Sequence, residues 1–140
     1  MSRILKVSGF AGLTVMMGVG MYQNYLNAIG DGVPAWLIGG HAHLGVLSIL
    51  AIVLGFAIPA LEITGTLESI ITWTYVLGQW GLPLVPWLAV GGGLELLHPT
   101  AFLWGALLLI PMVLMTWQAA VKPDTAFGES GGPEPRPADD

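Results

Sequence analysis

The side chains best suited to chemistry in this sequence are its three histidines, His41, His43 and His98. Neutral imidazole is a good ligand for iron, copper and zinc, and ionisable groups in apolar segments tend to mark functional sites. His41 and His43 are two residues apart, so on a helix their side chains point about 200° from each other. We therefore expect at most one of them to face inward. The pattern favours His43, because a stripe of leucines follows it. These leucines are Leu47, Leu50 and Leu54.

Polar residues near the histidines could support a bound group. His98 precedes Pro99, which biases it away from helical geometry and toward a cap position. Glu95 is close enough in sequence to orient the second ring nitrogen of His98. Gln23 and Asn24 could hydrogen-bond a cofactor, although such residues more often join neighbouring helices. The alternative for all three histidines is that they are amphipathic side chains at a wet membrane interface.

The elements that position these residues are predicted to be membrane helices. The chain has 140 residues, no cysteine and 9% charged residues, whereas a soluble domain carries about 25%. Uncharged runs long enough to cross a bilayer predict an all-α, four-helix transmembrane bundle of up-down-up-down order. The predicted spans are about 7–29, 41–61, 67–88 and 98–120, within a membrane domain of residues 1–121. Residues 122–140, rich in Pro, Gly and acid, are predicted to be a disordered acidic cytoplasmic tail.

The basic residues predict the orientation of the bundle. All four of them lie outside the predicted spans, at the two ends of the chain. They are Arg3, Lys6, Lys122 and Arg136. Basic residues remain on the cytoplasmic side of a membrane, so both termini are predicted to be cytoplasmic, in the cell membrane. Four crossings satisfy that condition, and they put all three histidines near the outer face.

Two segments of the chain resemble each other. Residues 34–43 and 86–98 each contain proline, tryptophan, a short apolar stretch, paired glycines and then histidine. This indicates a duplicated helical hairpin, although tryptophan and glycine are also common at membrane interfaces. Small residues within the spans are expected to allow close helix contact. They are Gly9, Gly12, Gly18, Gly20, Ala51, Gly55 and Gly105.

The segment His41-Ala42-His43-Leu44 at a helix start resembles a signature of small membrane proteins related to subunit I of haem–copper oxidases and nitric oxide reductases. The resemblance covers about ten residues, and the chain is far too short for the twelve spans of the catalytic subunit. It implies that the protein binds haem b and is not a complete oxidase. It also implies that His43, or His41, is an axial haem ligand, with His98 as the second ligand to the iron.

Together these observations predict a small haem b electron-transfer protein, or an accessory protein of a respiratory complex or of an extracytoplasmic redox partner. One alternative is a non-redox structural, assembly or transporter-like membrane protein without a cofactor. Another is a copper or zinc site made by the three histidines and Glu95. No nucleophile motif, phosphate-binding loop or catalytic carboxylate pair is present, so the pattern does not favour an enzyme. The net charge of −5 argues against a nucleic-acid partner.

Overall fold

The computed structural model describes residues 1–122, which form helices and the turns between them. The four α-helices are α1 (Ser2–Ile29), α2 (Ala35–Ala60), α3 (Gly65–Val85) and α4 (Thr100–Val121). A π-helical segment, Pro86–Gly91, continues from α3, and a short 3-10 helix, Glu95–Leu97, precedes α4. The predicted all-α, four-helix architecture is confirmed. Apart from Lys122, the predicted tail lies outside the described residues.

Two helices begin earlier than the apolar pattern predicts. α1 begins at Ser2 and not near residue 7, and α2 begins at Ala35 and not near residue 41. For α1 the reason is that hydropathy marks where the chain becomes apolar enough for lipid, whereas a helix can continue through the polar interface. For α2 the boundary is set by Pro34, which occupies the N-cap with an extended backbone.

The predicted turn at residues 30–34 ends α1. Gly30 has φ +83°, the left-handed conformation that glycine adopts without steric cost. Its N–H donates to the carbonyl of Asn27 at 3.2 Å, and the N–H of Asp31 donates to the carbonyl of Leu26 at 3.1 Å. This pair of bonds is a Schellman motif, which satisfies carbonyls that the helix end would otherwise leave without partners.

The order of the helices is up-down-up-down, as the contacts between them show. Gly12 lies against Ser48 near the middle of α1 and α2, and Gly20 lies against His41 farther along α1. The two helices are therefore antiparallel. α3 is parallel to α1, because the N–H of Ser2 donates to Glu68 and Ser8 bonds to Gln79.

Glycines also bring α4 against α3. The backbone of Gly78 lies against Leu108, and that of Gly81 lies against the ring of Trp104. Residue numbers rise along α3 as they fall along α4, so these two helices are antiparallel as well.

Three helical segments are long and apolar enough to cross a membrane: Ser2–Ile29, Ala35–Ala60 and Glu95–Val121. The chain is thus a multi-pass membrane protein. α3 is less apolar and is not among the three. It nevertheless lies beside α1 from Glu68 to Gln79. It therefore lies at the same depth as the three segments that are apolar enough to cross a membrane.

A buried amide of α3 is hydrogen-bonded to α1 and α2. Gln79 is completely buried and accepts a hydrogen bond from Ser8 Oγ at 2.9 Å. Its amide nitrogen donates to the Ser8 carbonyl at 3.2 Å and to Ser48 Oγ at 3.1 Å. Ser8 Oγ also accepts from Trp80 Nε1 at 2.9 Å. We call Ser8, Ser48, Gln79 and Trp80 the polar cluster. It satisfies groups that would be costly in hydrocarbon.

An apolar core lies between the polar cluster and the end of the bundle that carries Met1. Its buried members come from all four helices and the α2–α3 turn: Leu5, Ala51, Leu54, Ile58, Ile63, Ile71, Tyr75 and Met115. Tyr75 is the largest of them, and its hydroxyl donates to the carbonyl of Leu47 at 2.8 Å. The opposite end of the bundle carries the histidines.

Candidate functional site at the histidine end of the bundle

At the histidine end of the bundle, aromatic rings pack against the backbone of glycines. Trp87, in the π-helical segment, lies on Gly40 of α2 so closely that a Cβ there would be 1.9 Å from the indole nitrogen. In return, Trp36 of α2 lies on Gly91, where a Cβ would be 2.8 Å from the ring. The two Pro-Trp segments that resemble each other in sequence therefore pack against each other reciprocally. Each tryptophan is four residues before the glycine that receives the other's ring.

All three histidines lie at this end of the bundle, in different environments. His41 is half-buried, with its ring directed at α1. A Cβ at Gly20 would lie 3.1 Å from Cε1 of His41. The Nδ1 atom of His41 is buried and has no hydrogen-bond partner among the described residues. His41 is therefore the member of the pair that faces another helix.

His43 does not face the interior, so the predicted inward orientation is wrong. Its side chain is exposed, and it lines an open groove of about 240 Å³ with Ala42, Val46 and Leu47. The inward stripe of α2 runs instead through Gly40, Leu44, Gly45, Ser48 and Ala51. The leucines after His43 gave the wrong prediction of its orientation because lipid is as apolar as a protein core. Apolar residues alone therefore do not identify the packed face of a membrane helix.

The ring of His43 is held in one orientation. Its Nδ1 atom lies 2.7 Å from the carbonyl oxygen of Gly39, one helical turn earlier. A carbonyl only accepts, so Nδ1 carries the proton and donates it. The Nε2 atom then keeps its lone pair and points away from this bond. Histidines that bind metals are commonly arranged in this way, with the second ring nitrogen bonded to a carbonyl.

His98 follows the short 3-10 helix and is exposed. Its backbone has φ −51° and ψ −46°, which is helical, so the bias expected from Pro99 is overridden. The N–H of His98 donates to the backbone carbonyl of Glu95 at 3.0 Å. The Glu95 side chain is exposed, and no side-chain hydrogen bond joins it to His98 in the described part of the chain.

The two amides expected near the site have different roles. Gln23 Nε2 donates to the carbonyl of Leu37 at 3.1 Å and so joins α1 to the first turn of α2. This is the interhelical use that was the alternative to cofactor binding. Asn24, the next residue, is exposed and makes no side-chain hydrogen bond within residues 1–122.

The structure does not bring the candidate ligands together into one cluster. Within residues 1–122 there is no group of three His, Asp or Glu side chains that could hold a metal ion. A copper or zinc site made by the three histidines and Glu95 is therefore not formed by this chain alone. Within residues 1–122, His43 is the histidine whose ring nitrogen lies within hydrogen-bond distance of a backbone carbonyl.

The polar cluster in the middle of the bundle was not predicted. The sequence signals for it are the amide of Gln79 within a predicted span and the match in depth of Ser8 and Ser48. A single sequence does not reveal that match before the register of the helices is known.

Comparison with known proteins gives a family without an assigned activity. No curated protein and no solved structure matches the chain. One family model does match, and it covers residues 1–140. The chain belongs to the family described as Domain of unknown function (DUF8059).

Proposed function

We propose that this protein is a haem b-binding electron-transfer component of a membrane assembly, with His43 as an axial ligand. The observation that carries the proposal is the geometry of His43. Its Nδ1–H is bonded to the Gly39 carbonyl at 2.7 Å, which leaves Nε2 free on an exposed, apolar surface. The resemblance of residues 41–44 to the oxidase and reductase signature supports the same assignment.

The residues present fit one side of a haem. The groove beside His43 has a volume of about 240 Å³, below the range of about 300–1,000 Å³ typical of pockets that enclose a ligand. A haem bound there needs a second wall from outside this chain. That requirement favours an accessory role, in which a partner in a respiratory complex covers the haem.

When bound, haem supplies one-electron chemistry at a potential set by its axial ligands and surroundings. The hydrogen bond to the Gly39 carbonyl would orient the ring of His43 toward the iron. Ala42, Val46 and Leu47 exclude water from that side. His98, on the loop at the same end, is the proposed second ligand from this chain, and His41 has a packing role against Gly20.

The proposal puts both termini in the cytoplasm and the histidine end at the outer face of the cell membrane. The position of the basic residues supports this orientation. The chain has no cysteine, so single cysteines report topology directly. Asp31→Cys should react with a membrane-impermeant maleimide added outside intact cells, and Ser2→Cys should not. Labelling of Ser2→Cys from outside would contradict the orientation.

Optical spectroscopy tests the haem. The protein is expressed with haem supplied, and reduced-minus-oxidised spectra are recorded on membranes and on detergent-purified protein. Wild type should show Soret and α bands, and His43→Ala should lose them. His98→Ala should convert the spectrum to high-spin, whereas a retained low-spin spectrum would assign the second ligand to a partner.

The matched control is His41→Ala, which removes a histidine of the same helix turn that faces α1. Its spectrum should be unchanged. Equal loss in His41→Ala and His43→Ala would indicate damage to the fold and not loss of a ligand. Absence of bands in wild-type membranes, where a partner is present, would overturn haem binding.

If the protein binds no haem, a non-redox structural or assembly role is the better description of its function. The specific observation that favours it is that close glycine contacts and the polar cluster hold the helices together.

A further inference from the structure

A groove on the outer surface of the bundle lies between α1 and α3, at the end opposite the histidines. Its volume is about 430 Å³, and it is lined by Arg3, Ile4, Val7, Ser8, Ala11 and Trp80. We propose that this groove binds an anionic phospholipid, with the lipid phosphate on Arg3 and one acyl chain along the groove. The inference is independent of haem binding, since it concerns the other end of the molecule.

The charge at the mouth of the groove favours an anionic headgroup. Arg3 is exposed and makes no ion pair with a carboxylate within residues 1–122. The Met1 amino group, in contrast, is paired with Glu68 at 2.8 Å. A guanidinium binds phosphate through two parallel hydrogen bonds. Glu68, the acidic group near Arg3 in the bundle, is already occupied by the Met1 amino group and the N–H of Ser2.

The walls of the groove favour an acyl chain over a polar ligand. Ile4, Val7 and Ala11 are apolar, and the two polar groups at the floor are already satisfied. Ser8 Oγ donates to Gln79 and accepts from Trp80 Nε1. The floor therefore offers no free hydrogen-bonding group, and the ring of Trp80 presents apolar surface.

The length of the groove also fits one leaflet of a bilayer. Arg3 and Ala11 are eight residues apart on α1, which corresponds to about 12 Å along the helix. The hydrocarbon core is about 30 Å thick, so one leaflet is about half of that. A groove that begins at a basic residue and ends before the midplane has the dimensions of a lipid chain.

Native mass spectrometry of the intact protein in detergent tests the proposal. Binding of phosphatidylglycerol is compared with that of phosphatidylcholine carrying the same acyl chains. Phosphatidylglycerol should bind more tightly. Arg3→Gln should weaken its binding about fivefold, because a basic residue at a membrane surface contributes ~1 kcal/mol. Ala11→Leu should weaken the binding of both lipids, because the added side chain fills the groove.

Two matched controls separate the groove from general effects. Lys6→Gln removes a positive charge at the same end, but Lys6 Nζ lies over the ring of Phe56, 4.6 Å from its centre, and does not line the groove. Ala28→Leu adds the same bulk to an exposed position near the other end of α1. Neither should change lipid binding, and circular dichroism should show the same helix content in all four variants.

The proposal is overturned if Arg3→Gln and Lys6→Gln weaken the binding of phosphatidylglycerol equally, since the effect would then be one of net charge. It is also overturned if Ala11→Leu leaves lipid binding unchanged. A third contrary outcome is a dimer in the spectra that Ala11→Leu abolishes, because the groove would then hold a second copy of the chain.

Discussion

Gly12 lies where α1, α2 and α3 meet at the polar cluster, and its replacement by alanine is the sharpest test of the packing described above. A Cβ at this position would be 2.1 Å from Ser48 Oγ and 2.8 Å from Gln79 Nε2. Both distances are shorter than real contacts permit. Gly12→Ala therefore has to rotate Ser48 away from Gln79 or separate α1 from α2.

The expected cost follows from these contacts. Loss of the Ser48–Gln79 hydrogen bond costs roughly 0.6–1.7 kcal/mol in a membrane protein, and overpacking adds about 1–3 kcal/mol. Alanine recovers up to about 1 kcal/mol through its higher helix propensity. We expect Gly12→Ala to lower the free energy of unfolding by roughly 1–4 kcal/mol.

The cost should depend on Ser48. In Ser48→Ala the nearest remaining atom of residue 48 is Cβ, which is 3.2 Å from the new methyl group. That contact needs a shift of only a few tenths of an ångström. In this background Gly12→Ala should cost at least ~1 kcal/mol less than in the wild type, a coupling typical of residues in contact.

Unfolding of detergent-solubilised protein by increasing fractions of sodium dodecyl sulfate, followed by circular dichroism, measures these differences. The control is Gly18→Ala on the same helix, where a Cβ would meet nothing within 4 Å. Its stability should equal that of the wild type or exceed it by up to about 1 kcal/mol, because alanine has the higher helix propensity. The reasoning is refuted if Gly12→Ala is as mild as Gly18→Ala, or if the costs of Gly12→Ala and Ser48→Ala simply add.

Two further predictions use the same unfolding assay. Gly40→Ala should destabilise by roughly 1–3 kcal/mol and change the tryptophan fluorescence, because its Cβ would be 1.9 Å from Trp87 Nε1. Gly39→Ala should neither destabilise the protein nor change its fluorescence, since a Cβ there meets nothing within 4 Å. A larger loss of stability in Gly39→Ala than in Gly40→Ala would contradict the packing of Trp87 on Gly40. Tyr75→Phe should destabilise by roughly 0.6–1.7 kcal/mol, because it removes the 2.8 Å hydrogen bond to the Leu47 carbonyl. A variant as stable as the wild type would show that this bond contributes nothing net.

The number of helices, their order and the turn at residues 30–34 could be predicted from sequence, because they depend on local properties. A bilayer demands long apolar runs, and Gly30 with Pro34 provides a strong local signal for a turn. The beginnings of α1 and α2 were less accessible. Ser2 lies among polar residues, where hydropathy no longer distinguishes helix from loop, and the pair Gly39-Gly40 lies inside α2 and not before it.

The orientation of each helix about its axis could not be predicted from hydropathy. His43 is followed by leucines but is exposed, whereas His41 shares its helix face with Gly40, Leu44 and Ser48. On α2 the glycines and Ser48 identify the packed face better than the leucines do, since Leu44 and Leu54 are buried but Leu50 is exposed. Even that signal is incomplete, since Gly18 has open space beside it although it was grouped with the packing glycines.

The buried amide of Gln79 has a consequence for how the chain is made. α3 is not among the three segments that are long and apolar enough to cross a membrane, so we expect it to enter a bilayer less readily by itself. Ser8 and Ser48, which hydrogen-bond Gln79, belong to helices that leave the ribosome first. The membrane therefore already contains the partners that α3 needs when α3 emerges, and synthesis in chain order makes its insertion favourable.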